Sequence, residues 1–313
     1  VTAATGVGLL SGCGIRLDDG RGEPADPPGP DPAALLLGRQ REVCRTAADL
    51  AQAVAASPQT PAARRSLASA LAVAHLAQVS ALDRVIDGSP SPPSPLAGPP
   101  AEPGRPAATG SVPAGAAGQP GRGEAELRAF EAGEAGDAAR AQAGAAPPEV
   151  APLVGSLVVQ RCLAVLALGG GVPPWPAVAE VSSAEAGRLL VGARSARYGL
   201  EVAAAQSGTT LRGPITAALE LTRQRVRSLE ALAAQAAPPA PVGYTLPFPV
   251  TTPAAAQRLA TRVLAALGTA TMATLGRHDG AARLTLLGWV VESEAASGAC
   301  GGPLRAFPGL DRG

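Results

Sequence analysis

The chain has 313 residues, enough for one large domain or two small ones, and a net charge of +1. Every basic charge is arginine and only 2% of residues are aromatic, so there is no basic block and little to stack on bases, which argues against a nucleic-acid partner. Apolar content is 46%, but much of it is alanine, so a core has to come from close helix contacts more than from large side chains. The abundance of Ala, Gly, Pro and Arg matches the coding bias of a high-GC bacterium.

Residues 1–12 form an uncharged, mildly apolar run leading into Leu10-Ser11-Gly12-Cys13. The small residues Ser11 and Gly12 suit a peptidase cleft, and Cys13 is the only nucleophile there. The stretch resembles the lipobox of bacterial lipoproteins. That resemblance implies cleavage before Cys13 and a diacylglycerol on its thiol. No Arg or Lys precedes the run, so 1–12 is expected to be a truncated or atypical signal segment. Residues 13–31 are acidic and proline-rich (Pro24, Pro27, Pro28, Pro30), cannot bury apolar surface, and should be a flexible tether. The expected location is the outer face of the cytoplasmic membrane, with the membrane as a partner through the lipid anchor.

Asp31-Pro32 supplies an N-cap and a first-turn proline for the first helix. Its apolar stripe is Leu36, Val43, Ala47, Leu50 and Val54, and Ser57-Pro58 ends it. Thr60-Pro61 repeats the start signal for a second helix to about Ile86, with Leu67, Leu71, Leu82 and Val85 on one face. The short connection makes 32–87 an antiparallel hairpin. His75 and Gln78 fall on the buried stripe, and folding the hairpin sets Cys44 level with His75. A metal ligand, a base or a thiol–imidazole pair is then conceivable. The plainer reading is a core histidine hydrogen-bonded to Gln78. It is preferred because a Cys–His site needs an orienting group and the sequence offers none in view.

Residues 88–123 hold ten prolines among Gly, Ser and Ala and should form a disordered linker or long surface loop. Residues 124–175 are expected to pack on the core. Within them, Glu124 to Gly144 reads as one marginal, solvated helix weakened by Gly133 and Gly136. Glu149 to Leu168 reads as a central buried helix stopped by Gly169-Gly170-Gly171. Pro152, Gln160 and Arg161 interrupt it, and a membrane span needs roughly 20 apolar residues. The triple glycine lacks the pattern of a phosphate loop.

Residues 176–313 carry four more helical patterns. Ser182 and Glu185 form a capping box for a helix to about Gln206, with Leu189, Ala193, Ala196, Leu200 and Ala203 inward. The next runs from about Pro214 to Ala236, with Ile215, Leu219, Thr222, Val226, Leu229 and Ala233 inward. Its Arg223, Arg225 and Arg227 read as a solvated face paired with Glu220 and Glu230. Then comes a strap from Val242 to Pro253. Pro247, Pro249 and Pro253 forbid a continuous helix, and Tyr244 and Phe248 are two of the few aromatic residues. Thr252-Pro253 starts a helix with Leu259, Val263, Leu267 and Ala270 inward, stopping at Gly276. Arg277-His278-Asp279-Gly280 reads as a turn with Asp279 as N-cap, in preference to half of a catalytic triad. The last helix holds Leu284, Leu287 and Val291.

Connection lengths carry the topology. Each pair joined by a few residues is antiparallel, and the extended crossover of about 16 residues spans up to roughly 50 Å against about 36 Å for a 24-residue helix. Two hairpins with one long crossover make an all-α, ferritin-like four-helix bundle preceded by additional helices. The strap Tyr244-x-Leu246-Pro247-Phe248-Pro249-Val250-Thr251, with the terminal Ala306-Phe307-Pro308-Gly309-Leu310, resembles the ferritin-like domain of actinobacterial lipoproteins of unassigned function. The resemblance implies the fold. It does not carry over the metal chemistry, because the bundle helices contain Glu185, Glu201, Glu220, Glu230, Glu292 and Glu294 but no histidine.

The expected function is that of a metal-free cell-envelope lipoprotein with a binding or structural role, no cofactor, and a possible protein partner in the envelope. The alternatives are a metal or redox enzyme with a degenerate site at His75 with Glu42, Glu201 or Glu220, and a carrier of an apolar ligand. A carboxylate-only site from Glu185, Glu201, Glu220 and Glu292 is conceivable, but most of these four are expected to face water as capping or ion-pair partners. Cys44, Cys162 and Cys300, an odd number, are not expected to form a disulfide framework.

Overall fold

The computed structural model describes residues 31–88, 122–176 and 181–310, which are all-helical, with nine α-helices and no strand. The expected lipobox at Cys13, the tether before Asp31 and most of the 88–123 linker lie outside the described residues.

Helices α1 (Pro32–Ala56) and α2 (Ala62–Ile86) pack as a hairpin. Asp31 caps α1, its Oδ1 accepting from the Ala33 N–H at 3.0 Å. The buried face of α1 is Leu37, Gln40, Cys44, Ala47, Ala48, Ala51 and Val54. Leu36, Val43 and Leu50, expected inward, sit half-buried at its edge, because α1 must face α3 as well as α2. Val85 is likewise exposed near the end of α2.

The single helix expected over 124–144 is two, α3 (Arg122–Glu134) and α4 (Asp137–Ala145). They break at Gly136, where a side-chain Cβ would lie 3.1 Å from the Gly133 carbonyl oxygen. Nor is the segment solvated: Leu127 and Glu131 are fully buried because α3 packs against both α1 and α5. Helix α5 (Ala151–Ala167) is central, touching α1, α2, α3, α4 and α9, and Val154 to Val165 are buried throughout.

The C-terminal bundle is α6 (Ser183–Gln206), α7 (Thr209–Ala233), α8 (Pro253–Met272) and α9 (Gly280–Ala299). The inward residues expected on α6 and on α7 are all buried. Helix α6 packs on α7 and α8, and α8 on α9; α7 and α9 are the least closely joined neighbours. The strap leaves α7 beside the start of α6, where Gly187 abuts the Ala236 carbonyl, and delivers Pro253 beside Gly208 at the other end. It therefore runs the length of the bundle. Along it Tyr244, Leu246, Phe248 and Val250 are half-buried while Thr245, Pro247 and Pro249 are exposed, the two-residue alternation of extended chain.

Three boundaries differ from expectation. Helix α7 begins at Thr209, so Pro214 lies inside it and forgoes the hydrogen bond to the Thr210 carbonyl. Helix α8 stops at Met272, and a short helical turn at Leu275–Arg277 follows, from which Arg277 reaches Glu185 at 3.2 Å. On α8 the inward face includes Leu264, while Val263 is half-buried and Ala270 exposed. Two stretches, Ala62–Ile86 and Pro253–Arg277, are long and apolar enough to cross a membrane by length and composition. Here they pack as layers of the fold, against α1 and between α6 and α9.

Two further ties join the halves. Arg283 of α9, 1% exposed, donates to the carbonyls of Ala143, Gly144 and Ala146, so a cation closes the C-terminal end of α4. The segment after α9 returns across the N-terminal helices: Gln78 donates to the Ala306 carbonyl at 2.7 Å and Ser156 to that of Pro308 at 2.9 Å.

Candidate functional site

Helices α1, α2, α3 and α5 each send polar side chains to one buried point. His75 Nε2 lies 2.7 Å from Glu131 Oε1. Arg161 Nη1 donates to Glu131 Oε2 at 3.2 Å, and Arg161 Nη2 to Cys44 Sγ at 3.2 Å. The Cys44 thiol donates to Gln78 Oε1 at 3.4 Å, and the same oxygen lies 3.1 Å from His75 Nδ1. Arg161 Nη1 also faces that ring nitrogen at 3.2 Å, so the tautomer decides which of the two it bonds.

Both the plain and the sharper expectations for His75 describe part of this. Gln78 is its neighbour, as expected, and Cys44 enters through the same amide. The orienting acid that the sequence did not yield is Glu131. Burial works to raise its pKa, but Arg161 and His75 outweigh it and hold the carboxyl below its ordinary range, so it is ionised. Burial raises the Cys44 thiol more than Arg161 lowers it, so the sulfur is a neutral thiol. The parts of a cysteine–histidine–acid triad are present, yet Cys44, His75 and Glu131 are all 0% exposed. A neutral thiol that no substrate can touch performs no nucleophilic chemistry. The arrangement pairs buried charges and fixes four helices against one another.

The other candidate residues lie elsewhere. Glu42 pairs with Arg41 and Arg45 on the surface of α1. Glu201 and Glu220 share Arg223 on the outside of α6 and α7, and the structure does not bring them to His75. Among the described residues no three His, Cys, Asp or Glu side chains converge as metal ligands. Cys44, Cys162 and Cys300 are free and buried. Tyr244 stacks on Tyr198 at 5.5 Å between ring centres, and Arg258 lies over the Phe248 ring, so the strap is pinned to α6 and α8. Of Glu185, Glu201, Glu220 and Glu292, only Glu185 is buried; Glu294, outside that set, is buried too. Glu185 is 2% exposed beneath Arg188 and Arg277, and Glu294 is 6% exposed against Arg305.

Arg225 overturns another expectation, since it is buried and its neighbours Arg223 and Arg227 are exposed. It lines an open cleft of about 490 Å³ between α7 and α9, in the size range of ligand pockets. One wall is the loop from Val172 to Pro176. Arg140 fixes that loop, donating to the carbonyls of Pro173 at 3.0 Å and Pro174 at 3.2 Å, with its guanidinium 3.9 Å over the Trp175 ring. On the other side Trp175 rests on α9 at Gly288, where any Cβ would come within 2.7 Å of the indole. Trp289 lines the cleft beneath Arg225. Arg225 Nη1 donates to Ser293 Oγ and Nη2 to Glu292 Oε2, each at 2.7 Å. Among the described residues Arg225 Nε and Trp175 Nε1 are buried donors without an acceptor.

No curated protein and no solved structure matches the chain. Residues 188–312 match a family model described as "Domain of unknown function (DUF4439)", a span that takes in most of α6, all of α7 to α9 and the segment after them.

Proposed function

We propose that this protein is a cell-envelope lipoprotein whose metal-free, ferritin-like bundle acts by binding and not by catalysis. One contrast carries the reading: the residues that could do chemistry are sealed in the N-terminal layer, while a rigid-walled cleft of ligand size stands open beside the bundle. The ferritin-like assignment draws support from the two antiparallel pairs and the strap that runs the bundle's length. A metal or redox site is the weaker reading, since His75 is committed to Glu131 and Gln78, and Glu201 and Glu220 to arginines.

The anchor is tested by metabolic labelling with a fatty-acid analogue. Wild type should be labelled and Cys13→Ala should not; equal labelling, or none in either, removes the anchor from the reading. Protein purified from its own host should hold iron and manganese well below one equivalent. Stoichiometric metal that survives dialysis would transfer the bundle to the enzyme alternative.

A further inference from the structure

The cleft between α7 and α9 is lined by one cation, Arg225, and one carboxylate, Glu292. A guanidinium presents its Nε and Nη2 hydrogens side by side, a fork that matches the two oxygens of a single carboxylate. Glu292 fills only one tine of that fork, bonding Nη2 through Oε2, and Nε is left without an acceptor among the described residues. Arg225 is 5% exposed, so an empty tine there is costly, whereas the Glu292 side chain is 44% exposed and has water to swing into. Trp175, another residue of the lining, also carries an indole N–H without an acceptor among the described residues. The rest of the lining is mixed: Pro173, Pro174, Trp175, Trp289, Leu221 and Val172 give it apolar surface, and Gln224, Ser228 and Thr285 add uncharged polar side chains.

We propose, building on the binding role above, that this cleft takes a small organic acid with a flat apolar body, its carboxylate displacing Glu292 from the Nε–Nη2 edge of Arg225. Glu292 then serves as a placeholder that neutralises the buried guanidinium while the cleft is empty. The body lies against Trp175 and Trp289. A phosphate suits the site less well, because it brings more negative charge to a lining with only one cation. The walls need no rearrangement, since Arg140 already holds the loop and Gly288 already seats Trp175.

Trp175 and Trp289 are the chain's only tryptophans, so selectively excited tryptophan fluorescence of the whole protein reads this cleft. The probes are hydrocinnamate and its uncharged amide, hydrocinnamamide. Hydrocinnamate should shift the emission saturably and bind at least about tenfold more tightly than the amide. Arg225→Gln should erase that preference. Glu292→Gln changes a half-exposed residue, should not disturb folding, and should tighten hydrocinnamate by about tenfold by removing a like charge and a competitor. Equal binding of acid and amide, or no tightening in Glu292→Gln, overturns the carboxylate assignment and leaves the binding role standing. No response to either compound in wild type overturns both.

Discussion

In the layer made by α1, α2, α3 and α5, the deepest point is polar. Glu131, Arg161, His75, Gln78 and Cys44 meet there at 0–1% exposure. In the bundle several contacts have room only for glycine: Gly199 against Val263, Gly187 against the Ala236 carbonyl, Gly268 against Glu294. Both regions are alanine-rich, and neither has large side chains to spare. The first specifies its packing by chemistry, since each buried charge needs one particular partner. The second relies more on volume, since several of its helix contacts close on glycines where a Cβ would clash. The two should therefore fail differently.

The sharpest break of the comparison is to remove one charge from the layer. Glu131→Leu or Arg161→Met alone should cost about 3–5 kcal/mol, because the surviving charge is stranded in a dry site. The double variant should recover most of that loss in a denaturant titration, and full additivity of the two losses would show that the pair is not the organising contact. In the bundle Gly199→Ala puts a Cβ 2.8 Å from Val263 Cγ1. Overpacking of about 1–3 kcal/mol should outweigh the roughly 1 kcal/mol that alanine adds to helix propensity. Val263→Ala in the same chain should reverse the sign, as volume control demands and charge control does not.

Titration separates the regions less strongly. Glu131 is held below its ordinary 4.5, so the stability it lends is complete above that value and is lost as pH falls through its depressed folded value. The buried thiols run the other way. Burial raises Cys162 and Cys300 from 9.0 to about 11, so their contribution is complete below 9.0 and drains away as pH rises towards about 11. Melting temperature against pH should show both limbs, with Glu131→Gln flattening the acid limb alone. The smallest effect belongs to the exposed pair Arg227–Glu220, where Arg227→Gln should change stability by less than about 1 kcal/mol.

Local signals in the sequence carried well. Asp31-Pro32, Ser182 with Glu185, and Thr252-Pro253 mark the starts of α1, α6 and α8 to within a residue, because caps are made by neighbours in the chain. Gln78 beside His75 is equally local. Glu131 was hidden: it comes from a distant segment whose alternating charges resemble a solvated helix, and only the packing of α3 on α5 turns it inward. Arg225 could have been read. On a helix Arg223 and Arg227 lie nearly opposite it, and it falls three residues after Thr222 and four before Leu229, on the apolar stripe itself. Arg161, set in a helix that is otherwise nearly all apolar, carried the same signal. The cleft had none, because Trp175 meets α9 only through tertiary contact.

The carbonyls of Ala306 and Pro308, which close on Gln78 and Ser156, impose an order on the birth of the molecule. Chains emerge from the ribosome N-terminus first, so the hairpin carrying His75 is made long before the segment that seals it. Until residue 306 arrives, the Gln78 amide has to stay hydrated, and the polar point around it cannot dry out. The first half to be synthesised thus waits for the last described segment before the Gln78 amide and the Ser156 hydroxyl gain these acceptors.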